Sequence, residues 1–306
     1  MVITLFENLR AVFYAPFYAA QALGAYRAEG VEVEIVTSPQ PAITATGLLD
    51  GTADVAWGGP MRVLSTYDRD PECELVLFAE AVTRDPFFLV GRVPRPEFQT
   101  VDLVSARLAT VSEVPTPWLC LQEDMRRAGL DPAGVDRVAD RTMAENAAAL
   151  RVGEVDLVQL FQPYAEELVR DGAHIWYAAA TRGPTAYTSL YATRRRLESE
   201  PETMAAMVRG LYRTLKWLNA APPERVAEAI ASYFPALAYD LLTACITRYQ
   251  ALQVWNKTPV LSREGFERLK ASCLSGGLIT RNTPYEVCVD NRHAYAAVAA
   301  CPGKIL

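Results

Sequence analysis

The residues of this 306-residue chain that could do chemistry follow its predicted strands. Glu7 follows the opening segment VITLF, and Glu113 follows the later segment ARLATVS. A carboxylate in such a loop can accept a hydrogen bond from a ligand amine or act as a general acid or base. Glu113 also precedes a predicted helix near Thr116, a good N-cap residue, so a favourable contact with the helix dipole explains its charge equally well.

Aromatic and glycine residues form a second group of candidates. Phe13 and Tyr14 precede Pro16, so they are predicted to lie in a loop, where rings beside polar residues suit a flat ligand. The segment WGGP at 57–60 follows another strand, and its glycines allow close approach of the backbone to a ligand. The amides of the next helix could then bind an anion or a carbonyl oxygen. The structural alternative is a tight turn, with Trp57 in the core and Arg62 on the surface.

Residues for covalent or metal chemistry are sparse. No two of the six cysteines have a CxxC spacing, and the two histidines are His174 and His293, so we predict no structural zinc site. Neither histidine follows a strand at the edge where the carboxylates lie, and a nucleophile needs a base beside it. We therefore expect no metal and no cofactor, and we expect the cysteines to be reduced thiols.

The composition narrows the class of protein. Apolar residues make up 51% and charged residues 22% of the chain, values typical of globular domains. The net charge of −6 argues against a nucleic-acid partner, although a locally positive pocket could still bind an anion. No apolar stretch is long enough to predict a membrane-spanning helix, and the apolar residues 11–25 lack the basic start of a signal peptide.

The order of the predicted elements indicates two α/β units. Strands alternate with helices over the first 190 residues, and one of these helices is predicted from Pro16 to Glu29. Residues 194–274 are predicted to be almost entirely helical. The strand-like segment 186–193 precedes them, so the chain can cross back there and pack the last helices on the first unit. This segment and another near 83–90 would form a hinge, with a ligand cleft at the carboxyl ends of the strands.

Three motifs, in this order along the chain, resemble those of a known family. They are GVEV at 30–33, GTADVA at 51–56, and GEVD at 153–156 followed by PY at 163–164. With these motifs the chain resembles the type II periplasmic binding proteins, in the branch that binds sulfonates, nitrate and thiamine pyrimidines. This branch shares its fold with the yeast pyrimidine synthase of thiamine biosynthesis. The resemblance implies two α/β lobes joined by two hinge strands, a ligand held between them, and C-terminal helices packed on the first lobe.

The predicted lobes and the resemblance together give a set of candidate site residues. We predict that lobe 1 comprises residues 1–85 and 190–306, and lobe 2 residues 86–189. In the family the turn at 161–164 lies at the cleft. The residues predicted to contact the ligand are Glu7, Arg10, Phe13, Tyr14, Trp57, Gly58, Gly59, Arg62, Arg84, Glu113, Thr116, Trp118, Gln162, Tyr164 and Tyr187. Aromatic residues among them are expected to enclose the ligand (Trp57, Trp118, Phe13, Tyr164), and polar ones to orient it (Glu113, Glu7, Gln162, Arg62).

The predicted function is that of a solute-binding protein that closes on a small molecule, with an ABC permease as its expected partner. Several aromatic residues and at least two acidic ones favour a heteroaromatic ligand with an amino group, such as a thiamine-related pyrimidine. A sulfonate or nitrate is the rival ligand. We expect no nucleic-acid partner, no insertion into a membrane, and a monomer or a dimer.

The alternative class is a cytoplasmic enzyme of the same fold, similar to the pyrimidine synthase or to a related desulfinase. The synthase uses a lysine and a histidine, whereas all lysines of this chain lie in its last third and no histidine precedes residue 174. The desulfinase uses a cysteine near the first strand, whereas the first cysteine here is Cys73. A family member of the binding type also carries an export signal, which we do not predict here, so both the cytoplasm and the periplasm stay open as compartments.

Overall fold

The computed structural model of the protein describes residues 2–40, 43–300 and 302–303. Within these ranges ten strands form two five-stranded sheets. The strands are β1 (Val2–Glu7), β2 (Glu32–Thr37), β3 (Val55–Gly58), β4 (Leu75–Val82), β5 (Phe88–Gly91), β6 (Leu108–Ala109), β7 (Arg137–Val138), β8 (Leu157–Leu160), β9 (His174–Ala178) and β10 (Thr188–Thr193). No helix in these ranges is long and apolar enough to span a membrane.

The α-helices separate and follow these strands, as the alternation of the sequence predicts. They are α1 (Ala15–Ala22), α2 (Ala25–Ala28), α3 (Thr44–Leu49), α4 (Met61–Arg69), α5 (Thr116–Arg127), α6 (Met143–Val152), α7 (Tyr164–Arg170), α8 (Arg194–Ser199), α9 (Pro201–Leu218), α10 (Pro223–Ile230), α11 (Tyr239–Ala251), α12 (Arg263–Ser275), α13 (Tyr285–Cys288) and α14 (Arg292–Ala300). The helix predicted from Pro16 to Glu29 is two helices, because Gly24 has φ 68° and ends the first one.

The first sheet has the strand order β2-β1-β3-β10-β4. Strands β1, β2 and β3 are parallel, and β10 lies antiparallel between β3 and β4. Helices α1 to α4 connect the parallel strands, as parallel pairing requires a crossover. We call this sheet, together with α1–α4 and α8–α14, the first lobe.

The second sheet has the strand order β7-β6-β8-β5-β9. Strands β6, β7 and β8 are parallel, whereas β5 is antiparallel to both of its neighbours, β8 and β9. We call this sheet, together with α5–α7, the second lobe. Both sheets thus consist of parallel strands into which one strand from a crossing segment is inserted in the opposite direction.

Two segments carry the chain between the sheets, one from β4 to β5 and one from β9 to β10. A buried ion pair joins them: Asp85 in the first segment accepts a hydrogen bond from Arg182 in the second, with 2.8 Å between Nη1 and Oδ2. The Arg182 side chain is 6% exposed and that of Asp85 0%. Arg182 also binds Asp124 of α5 through Nε and Nη2, so the pair anchors both crossing segments to the second lobe.

The last helices contact both lobes. Helix α9 packs on α1 and α2, whereas α12 packs on α5 of the second lobe. Helix α11 reaches the second lobe through Arg248, which donates to Glu166 of α7 at 2.7 Å. Its Tyr249 hydroxyl accepts a hydrogen bond from the Gln162 backbone at 3.0 Å. The C-terminal helices therefore hold the two lobes together in addition to covering the first one.

The carboxyl group of Glu80 on β4 is buried without a basic partner among the described residues. Its Oε2 accepts a hydrogen bond from Asn256 at 2.7 Å, and the residue is 0% exposed. Burial raises the pKa of Glu80 to about 8, against the smaller lowering effect of hydrogen bonds such as that from Asn256. At neutral pH the folded protein therefore holds a proton on this group.

We expect Arg182→Ala to lower the free energy of unfolding by about 3–5 kcal/mol, because it leaves the buried Asp85 carboxyl without its cation. Urea titration followed by circular dichroism measures this change. Arg170→Ala is the matched control: Arg170 pairs with Asp240 on the surface, where an ion pair contributes little. Equal losses in the two variants would contradict a structural role for the Asp85–Arg182 pair.

A second prediction concerns the pH dependence of stability. Between the ordinary carboxyl pKa and about 8, folded Glu80 keeps a proton that the unfolded chain releases, so this group lowers the free energy of unfolding as pH rises. Glu80→Gln stays neutral, and its stability relative to the parent should therefore increase from pH 5 to pH 8 in urea titrations.

Glu29→Gln is the control for this pH series. Partial burial alone would raise the pKa of Glu29, but Arg209 and Arg213 lower it, so this group stays ionised throughout the range. The stability difference between Glu29→Gln and the parent should be constant with pH. The same constancy in Glu80→Gln would show that Glu80 is ionised in the folded protein.

Candidate functional site

The carboxyl ends of β1 and β3 in the first lobe face the loops after β6 and β8 in the second lobe. Between them lies a narrow cavity of about 30 Å³, which we call the inner cavity. Asn8, Tyr14 and Arg62 line it from the first lobe and Thr116 from the second, and Tyr187 lines it from a crossing segment. This is the edge at which open α/β sheets bind their ligands.

Aromatic rings from both lobes close the inner cavity. The ring of Phe13 lies edge-on to that of Phe161 with centroids 5.2 Å apart, and Phe87 contacts Phe161 at 5.1 Å. Phe13 also lies 6.2 Å from the ring of Tyr187. A water needs roughly 10–15 Å³ of such space, so the inner cavity, at about 30 Å³, has room for about two or three waters. The lobes must separate before an organic molecule reaches it.

Arg62 supplies a positive charge to the inner cavity. It lies in the first turn of α4, and no carboxylate in the described part of the chain forms an ion pair with it. Its Nε is buried without a hydrogen-bond partner. A Cβ atom at Gly58 would lie 3.4 Å from that Nε and 3.5 Å from Asn8 Nδ2, in ordinary van der Waals contact, so both side chains pack beside this glycine. A guanidinium at a helix N-terminus favours an anion.

Other donors surround the same space. Burial raises the pKa of Tyr14 to about 12, although Asn8 and Arg62 act in the opposite direction, so the phenol keeps its proton at neutral pH. The hydroxyl of Tyr187 is buried with no hydrogen-bond partner. From the second lobe, the N-terminus of α5 reaches the cavity at Thr116, and no described side chain caps this helix. The inner cavity is therefore rich in hydrogen-bond donors.

Glu7, expected to orient a ligand, is instead occupied by the protein. Its carboxylate accepts hydrogen bonds from Arg10 at 2.7 and 2.8 Å, from Thr37 at 2.9 Å and from the hydroxyl of Tyr18. It is fully buried and lines neither of the cavities at the cleft. Arg10 in turn lies over the ring of Tyr233, 5.5 Å from its centroid. Glu7 therefore anchors the loop after β1.

A larger cavity of about 450 Å³, which we call the outer cavity, adjoins the inner one. Residues 9–12 and 233–237 line it from the first lobe, and residues 161–164 with Glu113 and Met143 from the second. Leu9 and Phe161 line both cavities, so the two spaces are neighbours. The sequence did not predict that the segment 233–237 lines the cleft. It indicated only that Pro235 interrupts the helices there.

Polar residues of the outer cavity have structural partners. The carboxylate of Glu113 accepts a hydrogen bond from the Met143 backbone at 2.9 Å, at the N-terminus of α6. Gln162 is fully buried, and its Oε1 accepts from the Glu166 backbone at 2.9 Å, at the start of α7. Both positions were predicted to orient a ligand, and both line the cleft, but each already stabilises a helix terminus.

Five candidates lie outside both cavities: Glu7, Gly58, and the three that follow. Trp57 is fully buried in the first lobe and stacks on Phe17 with centroids 4.7 Å apart. Trp118 packs in the core of the second lobe, where the guanidinium of Arg137 lies 4.4 Å from its ring centroid. Arg84 donates to the backbone carbonyl of Ala180 in the other crossing segment. Neither tryptophan lines the inner or the outer cavity, in contrast to the expectation that both enclose the ligand.

The other candidates do reach the cleft. The inner cavity is lined by Phe13, Tyr14, Gly59, Arg62, Thr116 and Tyr187, and the outer one by Arg10, Glu113, Gln162 and Tyr164. Gly58 lies behind Arg62. None of the described cysteines lines either cavity, and burial raises the pKa of each of these thiols, to about 12 for Cys120 and Cys288. Among the described residues no group of three His, Cys, Asp or Glu could hold a metal ion.

The same substitution should have different effects on stability at the two candidate acidic residues, Glu7 and Glu113. Glu7→Gln removes the anion that binds Arg10, so it should lower the free energy of unfolding by about 1.5–3 kcal/mol, the contribution of hydrogen bonds to a charged group. Glu113→Gln keeps a carbonyl oxygen that can accept from Met143, so little change is expected. Urea titration of the two variants compares them, and equal effects would contradict the structural role of Glu7.

Known proteins resemble this chain over most of its length. The family model described as NMT1/THI5 like matches residues 13–225, more than two thirds of the chain. YtlA of Bacillus subtilis (strain 168), which carries the provisional name of a binding protein, is 24% identical over 291 residues. The match covers 94% of this chain and 87% of YtlA.

Solved structures share the fold. The aliphatic sulphonate-binding protein SsuA of Escherichia coli has a TM-score of 0.73 at 16% identity, over 92% of this chain and 94% of its own. A variant of DszB in complex with biphenyl-2-sulfinic acid has a TM-score of 0.72 at 14% identity, over 98% and 99%. These likenesses confirm the predicted two-lobed α/β fold class. Together with the family match, they confirm the resemblance seen in the sequence motifs: the chain belongs to the NMT1/THI5-like family.

Proposed function

We propose that this protein binds a small organic anion between its two lobes and delivers it to an ABC import system. The observation that carries the proposal is the Arg62 guanidinium, which lines the inner cavity without a carboxylate partner in the described part of the chain. The relatives support the class of function, since SsuA of Escherichia coli is named for binding aliphatic sulphonates and YtlA for binding. An expected partner is the permease of such a system.

The charges at the cleft favour an anion over an aminopyrimidine. An amino group needs acceptors, and a cationic one needs a carboxylate: Glu7 is saturated by four donors, one oxygen of Glu113 accepts from the Met143 backbone, and the unpartnered acceptor at the inner cavity is the uncharged Asn8 Oδ1. An anion needs donors, and Arg62 and the Tyr187 hydroxyl have unpartnered polar atoms at the inner cavity. A sulfonate presents three oxygens to such donors. We therefore propose a sulfonate-like head group in place of the thiamine-related pyrimidine.

The lobes close on the ligand because the hydrogen-bond donors of the inner cavity come from both lobes. Arg62 belongs to the first lobe and the N-terminus of α5 to the second, so an anion between them contacts both only when the lobes approach. A ligand shifts a conformational equilibrium by its difference in affinity for the two states. The Asp85–Arg182 pair lies between the crossing segments, where it can keep the lobes in register during this motion.

The lining of the cleft supports binding over covalent catalysis. None of the described residues that line the inner or the outer cavity is a cysteine, a histidine or a lysine. These are the residues that the desulfinase and the pyrimidine synthase resembled by this chain would require. The likeness to DszB is therefore a likeness of fold.

Isothermal titration calorimetry tests the proposal with sulfonates, the matching carboxylates and an aminopyrimidine. We expect the anions to bind. We expect Arg62→Gln to weaken that binding about 10- to 150-fold, since hydrogen bonds to charged groups contribute about 1.5–3 kcal/mol. Arg62→Lys keeps the charge but loses the planar fork, so its affinity should be intermediate.

The control is Arg225→Gln, which removes the same charge from an exposed i,i+3 pair with Glu228 on α10. Its affinity should equal that of the parent. Binding of the aminopyrimidine alone would overturn the anionic ligand but leave a solute-binding protein. Recovery of a chemically altered ligand after titration would favour an enzyme.

A further inference from the structure

We propose that the outer cavity seats a bulky, neutral, ring-bearing body of the solute, whose anionic head reaches the inner cavity. The inference rests on the proposed function, because it needs an anion held at Arg62. It narrows the ligand class from organic anions in general to those with an apolar body of aromatic size.

The size of the outer cavity is the first support. Its volume is about 450 Å³, compared with about 30 Å³ for the inner cavity. A cavity of roughly 150 Å³ in a protein core accommodates benzene. Pockets for organic ligands typically measure about 300–1,000 Å³. An ion such as nitrate or methanesulfonate would leave this space unused, whereas a one- or two-ring body would fill much of it.

The chemistry of the lining is the second support. Rings from both lobes face this space, with Tyr233 and Phe234 on the first lobe and Tyr164 on the second. Gln162 uses its side-chain carbonyl on the α7 backbone, and Arg10 is held by both oxygens of Glu7. The outer cavity therefore offers apolar surface and shape, with few free hydrogen-bonding groups. Flat aromatic rings suit such a lining.

The charge of the lining excludes a second anionic group. Glu113 is exposed at the outer cavity and carries the carboxylate that accepts from Met143. The charge of Arg10, the cation of this lining, is neutralised by Glu7 at 2.7 and 2.8 Å. A body with its own negative charge would meet Glu113 without a compensating cation. We therefore assign the outer cavity to a neutral body.

The relative position of the two cavities determines the orientation of the bound ligand. Leu9 and Phe161 line both, one from each lobe, so the path from head to body passes between them. The contact between the rings of Phe13 and Phe161, 5.2 Å apart, borders this path. When the lobes separate, this contact opens and the anionic head can pass to Arg62 while the body stays in the outer cavity.

Titration calorimetry with a graded series tests this inference: methanesulfonate, butane-1-sulfonate, benzenesulfonate and naphthalene-2-sulfonate. Each buried methylene equivalent strengthens binding about fourfold. We therefore expect naphthalene-2-sulfonate to bind at least about 60-fold tighter than methanesulfonate, the gain from three such increments. Equal affinities along the series would overturn the inference and leave the proposed anion binding intact. Failure of every sulfonate and carboxylate to bind would overturn both.

A variant that fills the outer cavity distinguishes binding of the apolar body from binding of the anionic head. Ala236 lines this cavity and is exposed, so Ala236→Trp adds a ring there without disturbing a core. We expect at least a tenfold loss of affinity for naphthalene-2-sulfonate and less than a twofold change for methanesulfonate. Ala296→Trp, at an exposed position of α14, is the matched control and should change neither. Equal losses for the two ligands in Ala236→Trp, or no loss for either, would overturn the inference.

Discussion

The buried ion pair between Asp85 and Arg182 is the interaction on which the two-lobed arrangement depends. The chain passes twice between the sheets, and this pair joins the two passages at 2.8 Å, while Arg182 also binds Asp124 of α5. Burying two charges costs free energy, and breaking one partner costs more, so such pairs are more useful for defining a geometry than for adding stability. Here the defined geometry is the relation between the strand ends of both lobes, and hence the shape of the cleft.

The sign of the proposed ligand charge follows from which polar groups the fold has already used. Glu7 stands at the end of β1, as ligand-binding acids do, but Arg10, Tyr18 and Thr37 satisfy it. Arg62 lies in the first turn of α4, after β3, and has no such partner in the described chain. The two charged residues near these strand ends therefore differ: the hydrogen-bonding groups of Glu7 are occupied by the protein, whereas Arg62 lines the inner cavity.

The loops at the strand ends could be predicted for two reasons. The alternation of strands and helices is a local sequence pattern, and open α/β sheets bind ligands beyond the carboxyl ends of their strands. They led from the sequence to Tyr14, Arg62 and Thr116, which all line the inner cavity. The sequence did not place Trp57 in the core because side chains alternate between the faces of a strand, and no local pattern says which face of β3 turns to the core. Trp118 lies in α5, and its burial depends on how that helix packs in the second lobe. Trp57 packs on Phe17 of α1, a contact that depends on the docking of the helix. The segment 233–237 reaches the cleft only through the packing of α10 and α11.

The order of strands and helices, the two α/β units, the return of the chain after residue 186 and the family could all be inferred before the structure was known. These depend on hydrophobic periodicity and on short motifs, which neighbouring residues encode. The charges that remain available at the cleft could not be inferred in this way, because partners such as Tyr18 for Glu7 or Met143 for Glu113 come together only on folding. Nor could the size of the outer cavity be inferred, since that space lies between segments more than 200 residues apart, such as residues 9–12 and 233–237. Contacts over such separations arise from packing, and no local pattern records them.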